Sequence, residues 1–278
     1  MGYLQGLNNR NVDNYKYGID KRTAVEVLLS KINLIDVTNY NDGNKGEMYT
    51  FNHEETEQTP TLTDYRYIGN VPNNYVSFND GETWRIIGVF DTDDGTGNYE
   101  KRIKLIRDES LGVMKWSESD ENEWVGSTIQ GYLNDNYDFD DISKEMVATV
   151  TYYLGGRINN SVSGNIFYLS ERSQSIFSPD RNIKWIGLIG LIYPSDYIYT
   201  YSYGIDDTCY NTPISCGNSN PSSGWLFHGQ MTLMPNSSYS SKIFHIISTG
   251  RVGCLSNTSD KTNVYPTLYL KPEVKIYR

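Results

Sequence analysis

Histidines, cysteines and closely spaced carboxylates are the residues with which this sequence could perform catalysis or bind a metal. The chain has only three of each of the first two types, and none of the histidines has the spacing of a zinc site. His228 and His245 could enter a Ser/His/Asp triad, but no nucleophile elbow accompanies them. We therefore predict a protein that is not an enzyme and that uses no metal or cofactor.

The segment DTDDG at 91–95 is similar to the start of a calcium-binding loop. It lacks the glutamate that such a loop requires at its twelfth position. The glycines that follow, in GTGN at 95–98, do not stand between a strand and a helix, as a phosphate-binding loop would. Both patterns therefore predict a hairpin turn.

Residues 225–265 combine aromatic rings with many hydroxyl and amide groups and carry only four charged side chains. This composition is typical of recognition surfaces that use rigid aromatic residues and small polar residues. A core would contain fewer hydroxyls, because each buried one needs a hydrogen-bond partner, although any single ring could equally be a core residue. We predict a ligand-binding face formed by Trp225, Phe227, His228, Ser237, Ser238, Tyr239, Phe244, His245, Thr249, Asn257 and Thr258.

Charge and cysteine content limit the partners and the compartment. A net charge of −10 argues against nucleic acid, because a phosphate backbone requires a basic patch. Cys209 and Cys216 are close enough to close a short loop with a disulfide, with two reduced thiols as the alternative, whereas Cys254 has no evident partner. No apolar stretch reaches the about 20 residues that span a bilayer. Any membrane contact is therefore expected through a segment outside this sequence.

Capping motifs and periodicity predict a few short helices. Thr23 and Glu26 form a capping box, and the apolar residues behind them recur at helical spacing over 23–33. A helix of this length must dock on the main domain or continue an upstream helix. The other predicted helices are 127–133, opened by a capping box of Ser127 and Gln130; 142–153, capped by Asp141 and ended by Gly155 and Gly156; and a short turn starting at Ser195 or Asp196.

An antiparallel meander is predicted downstream of residue 65. Apolar residues alternate in 73–79 and 83–90 on either side of Asp80-Gly81, which is a hairpin signal. A second polar turn leads to a third strand at 102–108. Residues 38–64 have no sustained period and are predicted to form a connection. Further strands are predicted in 185–193, 243–248, 252–255 and 264–270.

A series of longer motifs resembles an uncharacterised family of Gram-positive gut bacterial surface proteins. In order, these motifs are YRYIGNVPNNYVSFNDGETWRIIGVF, RIKLIRDESLG, YLND, YLGG, WIGLIGLIYPSDYIY, the Cys209/Cys216 loop, GWLF and YPTLYLKPEVKI. The resemblance covers residues 47–278, and typical members carry a pilin-like N-terminal membrane helix that this chain lacks. The ending YPTLYLK is similar to the last strand of the C-type-lectin-like fold. That fold is shared with formylglycine-generating enzymes and with the variable proteins of diversity-generating retroelements.

The resemblance implies an α+β, loop-rich, C-type-lectin-like domain with small antiparallel sheets and a few short helices. In the retroelement proteins a reverse transcriptase mutates adenines, chiefly in Asn codons, within a C-terminal repeat. Members of the family look Asn-rich in the region that corresponds to this face. The sequence has neither the EPN and WND calcium motifs of classical lectins nor the paired active-site cysteines of the sulfatase-activating enzymes. The resemblance adds Ile247, Cys254, Leu255 and Asp260 to the candidate binding residues.

These observations predict a linker with a short docking helix over residues 1–60. Residues 61–278 are predicted to be a C-type-lectin-like ligand-binding domain with its variable face at 225–265. We expect a non-enzymatic binding protein of the adhesin or receptor type, displayed on the bacterial cell surface or on a phage virion. Its expected partner is a protein or glycan on another cell or particle. The alternatives are a minor pilin or phage tail subunit without a diversified site, and an enzyme of the same fold.

Overall fold

A nine-stranded, mostly antiparallel sheet forms the largest element of the computed structural model. The structure describes residues 3–6, 22–30, 48–69, 72–160, 162–174, 181–201, 224–226, 229–248, 250–254 and 257–277. Within these residues the fold is α+β and loop-rich, with short helices and mainly antiparallel sheets. None of the helices in these ranges has the length and apolar character needed to cross a bilayer.

Five helices and sixteen strands are present in the described ranges. The helices are α1 Ala24–Leu29, α2 Thr128–Asp135, α3 Asp141–Met146, α4 Gly164–Glu171 and α5 Pro194–Ile198. The strands are β1 Tyr3–Gly6, β2 Tyr49–His53, β3 Leu62–Arg66, β4 Tyr75–Phe78, β5 Glu82–Asp93, β6 Tyr99–Arg107, β7 Val113–Lys115, β8 Val150–Tyr153, β9 Lys184–Gly187, β10 Ile189–Gly190, β11 Gln230–Pro235, β12 Ile243–Ile246, β13 Val252–Cys254, β14 Lys261–Asn263, β15 Thr267–Tyr269 and β16 Lys275–Tyr277.

The strands divide into three sheets. The large sheet has the order β10-β15-β6-β5-β4-β1-β16, with β3 also paired to β5 and β2 paired to β3. At one edge β1 lies between β4 and β16 and runs parallel to β16. A five-stranded sheet has the order β13-β12-β11-β14-β7, and β8 pairs with β9. The predicted boundary near residue 60 falls between the paired strands β2 and β3.

Two local predictions that rest on specific cap and turn chemistry are confirmed, one at α1 and one at the first hairpin. Thr23 and Glu26 make both hydrogen bonds of a capping box, and α1 docks on the main core through Ala24, whose N–H donates to Val274 O at 2.6 Å. The helix ends at Leu29, earlier than predicted. The strands β4, β5 and β6 form the predicted meander. Its first turn contains Asp80 and Gly81 at positive φ, the conformation that such hairpins require.

Several element predictions are wrong. The helix predicted over 142–153 is instead α3, capped by Asp140 and ended at Met146, followed by β8. The four residues of β8, VTYY, are β-branched or aromatic and all are buried, so strand pairing with β9 prevails. The segment 185–193 divides between two sheets rather than forming one buried strand. Strand β2 lies within the predicted connection 38–64, and α4 was not predicted.

A chain of buried ion pairs joins the large sheet to α5. Asp196 accepts hydrogen bonds from Arg66 Nη1 through Oδ1 at 2.9 Å and from Lys104 Nζ through Oδ2 at 2.5 Å. Arg66 also donates to Asp64 Oδ2 at 2.7 Å, and His53 Nε2 lies 2.9 Å from the same oxygen. The paired side chains are at most 2% exposed. Strands β3 and β6 are therefore fixed to α5 by charge as well as by packing, and His53 joins β2 to the Asp64 carboxylate of β3.

A second buried pair extends this network to α4. Glu171 accepts hydrogen bonds from the backbone N–H and the hydroxyl of Ser195, and it forms an ion pair with Arg172 at 3.1 Å. The Arg172 guanidinium lies 3.5 Å from the ring centroid of Tyr168. With these members the cluster has three cations and three carboxylates, Arg66, Lys104 and Arg172 against Asp64, Glu171 and Asp196.

The charge of Asp196 is stabilised by this arrangement. Burial alone would raise its pKa, but the neighbouring Lys104 ammonium and Arg66 guanidinium outweigh burial and lower the pKa below its usual 3.8. A carboxyl whose folded-state pKa is lowered stabilises the fold above its unfolded-state pKa. That contribution is lost as the pH falls through the folded-state value.

We expect Asp196→Asn to destabilise the fold by about 3–5 kcal/mol, because it leaves Arg66 and Lys104 buried without their shared counter-charge. Urea unfolding at neutral pH measures this loss. The matched control is Lys101→Met, which breaks a partly exposed ion pair with Asp91 and should cost less than about 1 kcal/mol. As the pH falls below 3.8, Asp196→Asn should lose less stability than the wild type, because its amide side chain cannot be protonated. Equal losses in the two variants at neutral pH would contradict the role of this cluster.

Candidate functional site

Apart from Trp225, the described part of the predicted binding face lies on the five-stranded sheet or in the turns that connect its strands. Strands β11, β12 and β13 form an antiparallel set, and β14 pairs in parallel with β11 at Gln230 and Asn263. Between β13 and β14 the chain turns at 257–260, and Thr258 N–H donates to Ser241 O at 2.7 Å. The turn at 257–260 thereby contacts the segment that precedes β12.

Three predicted contact residues are buried, and the prediction that they contact a ligand is wrong. Trp225 donates from Nε1 to Tyr67 O at 3.0 Å and is 4% exposed. Phe244 is fully buried in an edge-to-face contact with Phe167 of α4, with ring centroids 5.6 Å apart. Thr258 is also fully buried, and its hydroxyl donates to a backbone carbonyl. Phe167 of α4 covers Phe244, Arg85 of β5 lies over the Trp225 ring, and Ser119 accepts the hydrogen bond of Thr258, so none of the three side chains is available to a ligand.

Tyr239 is the one candidate ring that the described residues show largely exposed, at 55%. It lies in the tyrosine turn, residues 236–242, which connects β11 to β12. Asn236 Oδ1 accepts hydrogen bonds from the N–H groups of Ser238 and Tyr239. The Lys242 ammonium lies 4.3 Å from the centroid of the tyrosine ring. The turn therefore presents an aromatic ring whose backbone is held by hydrogen bonds and one of whose faces is covered by the Lys242 ammonium.

A buried asparagine outside the predicted face fixes the tyrosine turn. Asn122 is fully buried, and its Nδ2 lies within hydrogen-bonding distance of the carbonyl oxygens of Asn236, Tyr239 and Lys242. Its backbone N–H donates to Ser240 O. The sequence around it, SESDENEW, is typical of a solvated acidic loop and gives no sign of this role. One buried side chain thus adds hydrogen bonds to backbone carbonyl groups at both ends of the turn.

Two further segments adjoin the turn. Ser237 N–H donates to Arg157 O, and Asn236 Nδ2 donates to Ile158 O at 3.4 Å. The Ile158 side chain is 65% exposed. Asn257 is exposed, and its N–H donates to the partly buried Asp260 at 3.1 Å. We define the tip face as six exposed or partly exposed residues of these segments: Ile158, Ser237, Ser238, Tyr239, Lys242 and Asn257.

His245 and Ile247 lie at the other end of β12 and are partly buried. His245 is opposite Met231 and Gly253 on the neighbouring strands. Burial lowers the pKa of its imidazole to about 4, and the nearby Asp260 carboxylate only partly offsets this shift. The ring is therefore neutral at physiological pH and contributes no charge to the site.

The remaining predicted residues lie outside the described part of the chain. Cys254 ends β13 opposite Phe244, but only its backbone is described. Within the described ranges, no three His, Cys, Asp or Glu side chains come close enough together to hold a metal ion. The predicted residues outside those ranges are Phe227, His228, Thr249 and Leu255 of the face, and Cys209 and Cys216 of the proposed disulfide.

Comparisons with known proteins identify no relative. No protein-family model matches the chain, and neither curated proteins nor solved structures include a match to it. The geometry of the chain's own residues is therefore the basis for interpreting the site.

We expect Asn122→Ala to loosen the tyrosine turn and to destabilise the fold by roughly 2 kcal/mol, because buried carbonyl groups lose their donor. Hydrogen exchange should accelerate at the amides of Asn236 and Lys242, which close the turn. The matched control, Asn98→Ala, removes an exposed amide from a hairpin turn and should change stability by less than about 0.5 kcal/mol. If the hydrogen-exchange rates of these amides are unchanged in Asn122→Ala, the turn does not depend on the Asn122 side chain.

We expect the His245 imidazole to titrate with a midpoint of about 4 in the folded protein, because burial disfavours its charged form. NMR of ring-labelled histidine measures the midpoint, and a His245→Gln variant assigns the resonance. In denaturant the same ring should titrate near its ordinary value of 6.5. A midpoint near that value in the folded state would place the ring in solvent instead.

Proposed function

We propose that this protein is a non-enzymatic, surface-displayed binding protein of the adhesin or receptor type. Its C-type-lectin-like domain would present the tip face to a protein or glycan on another cell or particle. The observation that carries the proposal is the exposed Tyr239 ring on a turn fixed by buried hydrogen bonds from Asn122. A large exposed ring on a rigid turn has no evident role in folding, whereas it suits recognition.

The energetics of binding favour this arrangement. A tyrosine ring supplies a large contact area and has few rotatable bonds, so little entropy is lost when it is immobilised. The Lys242 ammonium beside the ring and the hydrogen bonds of Asn236 restrict it further before any ligand arrives. Preorganisation of this kind raises affinity by reducing the entropy lost on binding. Ser237, Ser238 and Asn257 surround the ring with groups that can donate or accept hydrogen bonds.

The C-type-lectin-like assignment is supported by the position of the YPTLYLK segment. Its strand β15 pairs with β6 and β10 inside the large sheet, and Leu268 is fully buried. A late strand inside the main sheet is compatible with that assignment, although β16 follows it in the chain. The α+β architecture with long loops is compatible with the same assignment.

Diversification of the face is proposed for its exposed positions. Ser237 and Ser238 are partly exposed in the tyrosine turn, and substitutions there would leave the core unchanged. Phe244 and Thr258 are buried, so random replacement at these two positions would destabilise the domain. Sequencing of the adjacent DNA tests the proposal. A near-copy of the segment encoding 225–265, beside a reverse transcriptase and with adenines at the variable codons, is the expected finding. A face that is invariant among sister strains would favour the structural-subunit alternative.

We expect Tyr239→Ala to weaken binding by more than about tenfold, as loss of a central aromatic anchor does, while the melting temperature changes little. Arrays of glycans and bacterial surface proteins, probed with the wild type and the variant, measure the loss. The contrasting variant is Phe244→Ala, which should destabilise the fold by about 3–5 kcal/mol because it empties a buried site. A Tyr239→Ala variant that keeps the wild-type array profile would refute the tip face as the binding site.

A further inference from the structure

A groove of about 300 Å³ opens between β7, β14 and the helix α2, apart from the tyrosine turn. Strand β7 is the edge strand of the five-stranded sheet in the described ranges, and it pairs antiparallel with β14. The volume is at the lower end of the range for small-molecule pockets. The residues that matter for the argument are Val113, Met114, Lys115, Ile129, Tyr132 and Lys261.

One half of the groove is apolar. Ile129 of α2 is almost fully buried beneath it, and Met114 of β7 is partly exposed. Val113 and Tyr132 have 58% and 38% of their surfaces exposed, which is high for side chains of their size in a folded domain. An aliphatic chain or an aromatic ring placed here would remove these surfaces from water, which is favourable.

The other half of the groove is positively charged. Lys115 and Lys261 face each other across the β7–β14 pair, and like charges in directly opposite positions are unfavourable. Glu118 neutralises Lys115 through an ion pair at 2.7 Å. In the part of the chain that the structure describes, Lys261 forms no ion pair. One ammonium group at the groove therefore has no counter-ion, although the whole protein carries a net charge of −10.

We propose that this groove binds a small-molecule carboxylate with an apolar body, such as a medium-chain or aryl-substituted monocarboxylate. The carboxylate would pair with the Lys261 ammonium, which is the one that Glu118 leaves uncompensated. The apolar body would cover Met114, Ile129 and Tyr132. A single negative charge matches the single uncompensated ammonium, and the volume accommodates a body of about eight to ten carbons, since such pockets enclose most of their ligand.

This site is independent of the proposed recognition function. The two lysines and the apolar residues of the groove are distinct from the tip-face residues. Failure of one proposal leaves the other unaffected, because the variants that test them affect different residues.

Octanoate is the probe, and calorimetric titration of the full chain at low salt is the measurement. The wild type should bind with a dissociation constant below the millimolar range, and binding should weaken as salt is added, since the ion pair is exposed. In protein with 13C-labelled methionine methyl groups, the Met114 signal should shift on addition of octanoate, and Met114→Leu assigns that signal. A shift confined to other methionines would overturn the proposal.

Lys261→Gln should weaken octanoate binding about fivefold, within the range that a solvent-exposed ion pair supplies. Lys184→Gln makes the same charge change on β9 and should leave binding unchanged. Tyr132→Ala should weaken octanoate but not alter the affinity for acetate, because acetate has no body to cover the ring. Octanol or acetate that binds as tightly as octanoate would overturn the proposal. An equal loss of octanoate affinity in Lys261→Gln and Lys184→Gln would overturn it too.

Discussion

The charge pairing around Asp196 is the interaction on which the rest of the structure depends. This carboxylate accepts hydrogen bonds from Arg66 of β3 and Lys104 of β6, although it belongs to α5. Removing charges from water is unfavourable unless each charge is paired and hydrogen-bonded. The sheet and the helix can therefore adopt few relative positions that keep all three groups satisfied. Helix α4 is held to the same centre through Glu171 and Ser195.

In the tyrosine turn, buried uncharged groups restrict the structure in the same way, because each needs a hydrogen-bond partner. Asn122 satisfies several carbonyl groups of one turn from a buried position, and Asn236 satisfies two amides of the same turn from inside it. Neither side chain reaches the proposed ligand. Their effect is to fix the turn that carries Tyr239, so the shape of the tip face depends on polar residues beneath it. The face and its support thus come from segments more than a hundred residues apart.

Local chemistry made part of this fold predictable. Thr23, Glu26 and the Asp80-Gly81 turn act on neighbours within a few residues, and their elements formed where the sequence indicated. The strand β8 was missed because its VTYY residues follow a helical start, and pairing with β9, more than thirty residues later, decides their conformation. Arg66 and Asp196 are 130 residues apart, so no local pattern could pair them. Composition predicted a C-terminal face as a set, but it could not separate the exposed Tyr239 from the buried Phe244, because the burial of Phe244 depends on the position of α4.

The parallel pairing of β1 with β16 has a mechanical consequence. Tyr3, Leu4 and Gln5 lie opposite Lys275, Ile276 and Tyr277, and the two strands run in the same direction. Tension applied through the beginning of β1 and the end of β16 would slide one strand along the other. Hydrogen bonds loaded in this shear geometry carry force together, whereas those of a hairpin pulled from its open end break one at a time. A domain held at one end and pulled at the other would meet its first resistance at this edge of the sheet.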